Sequence, residues 1–279
     1  MALRRTHGLV VVVTGFTLLL AAGCGGETPT ATSSASPTAL PSTSPSPSPS
    51  PSPSPSPSPS PSPSASPTPS KSPTTQPVTE KSYVLQRTSG SSGVALTFDD
   101  GPHPTWTPRV LAVLRAKGVK ATFCLVGTQV KAHPALVRQI VAEGHTLCNH
   151  SWNHEFKLGT WSDAKISSNM RATNNAIHEA VPGAPIRYFR HPGGNWTAAA
   201  VRVARSLGMS PLHWTVDPQD WRRPAASTIS SRVVKGTRAG GVVLLHDAGG
   251  DRAQTLSALP GIISGLRAKY VLIRLPDTL

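Results

Sequence analysis

The chain has 279 residues, is 38% hydrophobic and carries a formal net charge of +14. Most of its 29 prolines fall in one segment, which leaves about 195 residues for folding, enough for a single domain. The Arg and Lys residues of that domain are scattered rather than run together, which argues against a nucleic-acid-binding protein.

The N-terminus has the layout of a secretory signal peptide, predicted over residues 1–23. Arg4 and Arg5 precede an apolar run at 9–20 and then small residues. The run is short for a membrane span, which needs about 20 residues, although an uncleaved anchor helix is the alternative. Residues 20–24 resemble a bacterial lipobox, with Ala21 where Leu is usual. Cys24 is then either the lipidated N-terminus or an incidental residue, and in both cases the protein is exported.

Residues 24–82 are rich in Pro, Ser and Thr, and they have too little apolar surface to offset the entropy of ordering. We predict a disordered linker that holds the following domain, 83–279, away from a membrane; an inert, O-glycosylated linker is compatible with this reading. The basic domain, which we expect to be monomeric, would associate with anionic cell-wall polymers, or its charges are simply solvated.

The domain alternates β-rich runs with amphipathic runs of helical spacing. Strands are predicted at 94–98, 121–126, 145–149, 187–189, 209–216, 241–246 and 270–274. Helices are predicted at 108–117, 133–142, 162–181 with Ser162 as N-cap, 198–207, 227–235 and 255–267. This alternation implies parallel strands with right-handed crossovers. About seven such units predict an α/β fold of the incomplete-barrel type, whose chemistry should lie beyond the C-terminal ends of the strands.

Cys124 and Cys148 lie in two predicted strands. In an oxidising compartment they are a disulfide candidate, and a bridge is geometrically feasible if the strands are neighbours. Two buried free thiols are the alternative, and the sequence leaves this choice open.

Polar clusters follow the predicted strands. Asp99 and Asp100 come after the first strand; adjacent carboxylates are costly unless a cation or proton shares them, although Asp-Gly-Pro is also an ordinary turn. His150 and His154 follow the third strand, and at this spacing on one helical turn they would face the same way and hold a metal. Such a pair alone is often unremarkable, but two imidazoles and a carboxylate form the ligand set of a catalytic zinc site.

Three more clusters follow later strands, at 190–196, 217–221 and 244–247. Each of them could be a simple loop, but five such clusters past strand ends are poorly explained by accident. In this order the five blocks resemble the signature motifs of the polysaccharide deacetylase family, the NodB-homology domain or carbohydrate esterase family 4. The resemblance covers residues 93–274, and the blocks at 97–102 and 150–154 are its most specific parts. It implies a distorted, incomplete (β/α) barrel and metal-dependent removal of acetyl groups from sugars.

The resemblance implies roles for individual residues. Asp100, His150 and His154 would bind Zn²⁺ or another divalent transition metal such as Co²⁺. Asp99 would be the general base, and Arg190 would be its charged neighbour.

Four other residues would complete the site by the same resemblance. His246 would be the general acid, oriented and tuned by Asp220, and Trp221 would wall the sugar groove. The family's third block commonly reads Arg-Pro-Pro-Tyr-Gly, and this chain has Gly193 at the Tyr position. The Gly193 N–H can still hold an oxyanion, but without the Tyr side chain we expect a more open groove near the acetyl group.

We therefore predict removal of N-acetyl groups from a cell-envelope polysaccharide, with peptidoglycan N-acetylglucosamine as substrate, by an exported protein anchored by lipid alone to the outer face of the cell membrane. The tether favours a substrate in the cell's own envelope. A deacetylase of chitin oligomers or acetylxylan is the alternative enzyme. A non-catalytic wall-binding lipoprotein is the alternative of another class, against which the complete set of site residues argues.

Overall fold

The computed structural model describes Thr88 and residues 91–277, which belong to the unit Ser70–Leu279. The predicted signal peptide at 1–23, Cys24 and the predicted linker at 24–82 lie outside the described residues and stay predictions. Within 91–277, none of the helices combines the length and the apolar character that crossing a bilayer requires.

Strands and helices alternate through the described residues. The strands are β1 (Val94–Asp99), β2 (Thr122–Leu125), β3 (Thr146–Asn149), β4 (Ile186–Phe189), β5 (Ser210–Pro211), β6 (Val242–His246) and β7 (Leu272–Ile273). The helices are α1 (Trp106–Ala116), α2 (Gly127–Ala132), α3 (Pro134–Ala142), α4 (Asp163–Ala180), α5 (Ala198–Ser206), α6 (Ala226–Gly236) and α7 (Ala253–Arg267). Ser162 caps α4 as predicted, because its side chain accepts the Lys165 N–H.

All strand pairs are parallel, in the order β5-β4-β3-β2-β1-β6, and β7 pairs with the start of β1. Between the two ends of this order, Val216 forms an isolated bridge to Val243 in β6. The sheet is thus an incomplete barrel of seven parallel strands, which confirms the predicted fold class.

The two faces of the strands carry different residues, because successive side chains alternate. Leu96 and Phe98 of β1 pack into a cluster with helix side chains. On the other face, β1 pairs with β6 from Ala95, which is opposite Val242, to Asp99, which is opposite His246. The inner face therefore changes from apolar at the start of the strands to charged at their C-terminal ends, where parallel barrels carry their chemistry.

Three predicted elements differ from the structure, and one of them is the strand expected at 270–274, which is regular only at Leu272–Ile273. The strand expected at 209–216 is regular only at Ser210–Pro211, because proline has no N–H to donate to a ladder. The helix expected at 133–142 starts at Pro134, a residue whose fixed φ suits a first helical position. A separate short helix, α2, precedes it and was not predicted.

Cys124 and Cys148 form a disulfide. They are directly paired in the register of β2 and β3, so the predicted neighbouring strands are in place. Of the two alternatives that the sequence left open, a disulfide and two buried free thiols, the structure has the disulfide.

The first residue of α2 holds the loop that follows β3. Gly127 donates its N–H to the Ser151 carbonyl at 3.0 Å. A Cβ at this position would collide with the Trp152 ring and lie 2.8 Å from Oγ1 of Thr173. Only glycine lets α2 approach this loop so closely.

We expect Gly127→Ala to lower the free energy of unfolding by about 1–3 kcal/mol, because the core must shift to admit the methyl group. Gly236→Ala in α6 is the matched control: its Cβ would stand 3.5 Å from Val216, an ordinary contact, so stability should be unchanged or slightly higher. Urea denaturation of both variants measures this. Equal midpoints for the two variants would contradict the close approach at Gly127.

Candidate active site

A cavity of about 500 Å³ opens at the C-terminal ends of the strands. Seven of the nine site residues predicted from the sequence line it: Asp99, Asp100, His150, His154, Gly193, Trp221 and His246. The other two, Arg190 and Asp220, are buried and contact members of this set. The structure therefore brings all nine together.

Asp100, His150 and His154 form a cluster suited to a metal ion. One ligand atom from each lies within 4.8 Å of the others, and Asp100 Oδ1 is 3.2 Å from Nε2 of His154 and 3.6 Å from Nε2 of His150. Asp100 Oδ1 is buried without a hydrogen-bond partner, and a cation would supply one. The donor set of one carboxylate and two imidazoles fits a divalent metal such as Zn²⁺.

The backbone of Arg190 orients the His150 ring. Its Nδ1–H donates to the Arg190 carbonyl at 2.7 Å, which leaves the Nε2 lone pair free for a metal. Burial lowers the pKa of His150, against the opposing charges of Asp99 and Asp100. The residue is thus held in the neutral form that binds metal.

The histidines do not share a helical turn, so that part of the sequence reasoning was wrong. They lie in a loop in which Ser151 has φ +66° and His154 has φ +57°. Asn149 supports this loop: its Oδ1 accepts the Ser151 N–H at 2.8 Å, and its Nδ2 donates to the Met170 carbonyl at 2.8 Å. Left-handed residues, rather than helical periodicity, bring the two rings together.

Asp99 is paired with Arg190 in the interior. Arg190 Nη1 donates to Asp99 Oδ1 at 2.6 Å and to Thr97 Oγ1 at 2.8 Å. Burial opposes ionisation of Asp99, but the charge of Arg190, helped by His150 and His246, holds its pKa below the usual value. The other carboxylate oxygen, Oδ2, lies 3.6 Å from His150 Nε2, so an ionised oxygen faces the metal cluster.

His246 is held as an imidazolium. Its Nδ1–H donates to Asp220 Oδ1 at 2.7 Å, and Asp220 Oδ2 accepts the His246 backbone N–H and the Thr255 hydroxyl, each at 2.9 Å. Burial lowers the pKa of His246, but the hydrogen bond and charge of Asp220 outweigh it and raise the pKa to about 9. A proton donor therefore stands in the cavity at neutral pH.

Two further buried residues, one beside the cavity and one lining it, received no role from the sequence. Asp247 is buried and accepts the Thr107 hydroxyl at 2.5 Å; burial raises its pKa to about 7. Its position directly after His246 was a usable signal. Arg252, also buried, donates to the carbonyls of Ala248 and Gly249 and lines the cavity. No local pattern marks Arg252, because it lies beyond the last strand-end block.

The Phe156 ring lies beside Gly193, where the sequence predicted a more open groove. Gly193 has φ +65°, and a Cβ there would lie 2.9 Å from ring atoms of Phe156. Phe156 also packs edge-on against His154, with ring centroids 4.7 Å apart, and lines the cavity. An aromatic ring from another loop thus fills the space that a side chain at 193 would use.

Comparison with known proteins agrees with this geometry. A family model described as polysaccharide deacetylase matches residues 86–212. A chitooligosaccharide deacetylase of Sinorhizobium fredii is 37% identical over 201 residues, which is 68% of this chain and 93% of that protein. A peptidoglycan-N-acetylglucosamine deacetylase of Bacillus cereus is 39% identical over 176 residues, 62% of this chain and 81% of that one.

A solved structure of similar fold is that of a carbohydrate esterase family 4 pseudoenzyme from Bacillus anthracis. It has a TM-score of 0.61 at 29% identity, and the match covers 67% of this chain and 64% of that one. The fold is therefore compatible with both active and inactive members.

We expect His150→Ala to weaken Zn²⁺ binding by at least about 100-fold, more than the loss of a supporting partner costs. Asp99→Asn should keep the metal, because Asp99 is paired with Arg190. His178→Ala, an exposed histidine of α4, is the control for His150. Metal content after dialysis and calorimetric titration measure all three. If Asp99→Asn empties the site, the two carboxylates have been assigned the wrong way round.

Proposed function

Because the chain belongs to the polysaccharide deacetylase family, we propose that it hydrolyses N-acetyl groups of a cell-envelope polysaccharide, with peptidoglycan N-acetylglucosamine as substrate. One observation carries this proposal: a metal-ligand cluster, an ionised carboxylate and an imidazolium converge on a single cavity. Amide hydrolysis needs an activated water, a site for the oxyanion and a proton for the leaving amine, and these groups match the three needs.

Asp100, His150 and His154 would hold the metal, which the unpartnered Asp100 Oδ1 supports. When bound, a divalent metal supplies Lewis acidity toward water and the acyl oxygen. The other ligands would come from solvent or substrate, since the described cluster offers three protein atoms.

The proton transfers are assigned to two side chains. Asp99 Oδ2 would take a proton from the attacking water, because the pairing of Oδ1 with Arg190 keeps the carboxylate ionised and oriented. The Gly193 N–H would donate to the oxyanion, a contact whose loss typically costs about 10²–10³ in rate. His246, charged through Asp220, would protonate the departing sugar nitrogen.

The choice of substrate rests on the relatives and on the N-terminal sequence. The Bacillus cereus relative is named for peptidoglycan N-acetylglucosamine, and the predicted export signal and linker would keep this domain near the cell's own wall. We propose that the protein is exported and, if Cys24 is lipidated, anchored to the outer face of the membrane. Chitin oligomers are the second candidate, because the Sinorhizobium relative is named for chitooligosaccharides.

Acetate release tests the function. We expect the Zn²⁺-loaded protein to release acetate from peptidoglycan faster than from chitin oligomers or acetylxylan, and a chelator should stop the reaction. Asp99→Asn should lower turnover by about 10²–10⁴, the usual contribution of a general base. Acetate release from chitin oligomers alone would identify chitin oligomers, instead of peptidoglycan, as the substrate. Metal binding without acetate release from any of the three would favour the alternative of a non-catalytic, wall-binding protein.

The pH dependence tests the general acid. His246 acts when protonated, so activity should fall as pH rises through its pKa of about 9. Asp220→Asn removes the charge that raises this pKa, and burial then lowers it, so the alkaline limb should move to lower pH by about one unit or more. Asp163→Asn, at an exposed ion pair, is the control and should leave the limb in place. An unmoved limb in Asp220→Asn would exclude His246 as the acid.

A further inference from the structure

We propose that Phe156 is a substrate-binding residue that stacks on the sugar chain at the rim of the cavity, in the space left by Gly193. The proposal rests on the proposed function, and it names a contact that the sequence motifs do not assign. Phe156 lies two residues beyond the metal-ligand candidate His154, outside the block at 150–154.

The first observation is that the Phe156 side chain is exposed to solvent. Among the described residues, the exposed large hydrophobic side chains are Phe156 at 53%, Trp221 at 43% and Val271 at 73%. Two of these three, Phe156 and Trp221, line the same cavity. A large apolar ring left in water is unfavourable unless a partner covers it, and the cavity is where a substrate would do so.

The second observation is that contacts with neighbouring residues hold Phe156 in position. The Phe156 ring packs edge-on against His154, with an interplanar angle of 86°. Its backbone is tied to the neighbouring loop, because Asn195 Nδ2 donates to the Phe156 carbonyl at 3.3 Å. Phe156 is absent from the buried apolar clusters, so core packing does not explain why a large ring stands here.

The close approach to Gly193 is the third observation. Two ring atoms of Phe156 would lie 2.9 Å from a Cβ at 193, closer than real Cβ contacts allow. A side chain at 193 would therefore require the ring to move from its present position. In this chain the aromatic wall comes from the loop after β3 rather than from the loop after β4.

The exposed part of the ring indicates what it contacts. The acyl group must reach the metal cluster inside the cavity, whereas a half-exposed ring at the rim meets the part of the substrate that projects outward. A pyranose presents C–H groups with partial positive charge on its faces, and an aromatic face carries partial negative charge. Phe156 and Trp221 would thus offer two aromatic surfaces to a chain of N-acetylated sugars.

The test compares chitotetraose with N-acetylglucosamine, using the Zn²⁺-loaded full chain. We expect Phe156→Ala to raise the KM for the tetramer by about two- to tenfold, the range that aromatic contacts of this kind contribute. The kcat, the metal content and the kcat/KM for the monosaccharide should be nearly unchanged. Phe156→Tyr should behave like the wild type. Val271→Ala removes the third exposed apolar side chain and should change nothing, because Val271 directly precedes β7 and lies opposite the start of β1, where its carbonyl accepts the Val94 N–H, and it does not line the cavity.

A binding measurement separates this inference from the proposed function. In the Asp99→Asn background, calorimetry should show that Phe156→Ala weakens binding of chitotetraose by the same factor. If the wild type releases no acetate, the proposed function fails, and this binding loss still supports Phe156. If the wild type is active but Phe156→Ala binds the tetramer normally, the inference fails. Loss of metal or kcat without a change in KM or binding would also overturn it, since Phe156 would then only support His154.

A double-mutant cycle tests whether the Phe156 ring and a side chain at 193 compete for the same space. Gly193→Ala should cost more activity in the wild type than in Phe156→Ala, because the clash exists only when the ring is present. The strain of alanine at φ +65° is the same in both backgrounds and cancels. Equal costs would show that the ring and a side chain at 193 do not compete.

Discussion

Arg190 carries a full positive charge into the interior of the half-barrel, where it is completely buried, and Asp99 is the carboxylate that neutralises it. An unpaired buried charge would cost several kcal/mol, so the fold holds the two residues together and keeps Asp99 ionised. The same residue acts a second time through its backbone, because the Arg190 carbonyl accepts the Nδ1–H of His150. One position at the end of β4 therefore sets both the charge of the carboxylate and the tautomer of a metal-ligand candidate. Loss of Arg190 would therefore disturb the general-base candidate and a metal-ligand candidate together.

The sequence was most informative where strands end. Parallel strands buried on both faces read as mostly apolar runs, so Asp99 and His246 stand out as the first ionisable residues of such runs, and their register pairing follows from the parallel order. It was least informative where tertiary contacts override local preference. The left-handed residues that bring His150 and His154 together have no helical period, and β5 is cut short by a proline that the apolar pattern concealed. Phe156 was missed because its role depends on a contact with a residue 37 positions away.

A fold shared with a pseudoenzyme cannot by itself establish catalysis, and the argument for activity must come from the site. Here each reactive group has its own supporting partner. Arg190 orients Asp99, Asp220 orients His246, and Thr255 in turn donates to Asp220. A protein that only binds a polymer has no need for such buried polar pairs, which are strongly destabilising when one partner is lost. Their presence as complete pairs supports a reaction that transfers protons.

The aromatic wall adds a constraint of another kind. The residues assigned to proton transfer lie on or beside strand ends and are fixed by the barrel, whereas Phe156 and Gly193 lie on loops, where binding residues commonly vary. With the ring at 156, the surface that meets the sugar and the ligand candidate His154 share one loop and touch each other. The surface that meets the sugar can therefore change between loops, because the residues assigned to the chemistry lie elsewhere and stay in place.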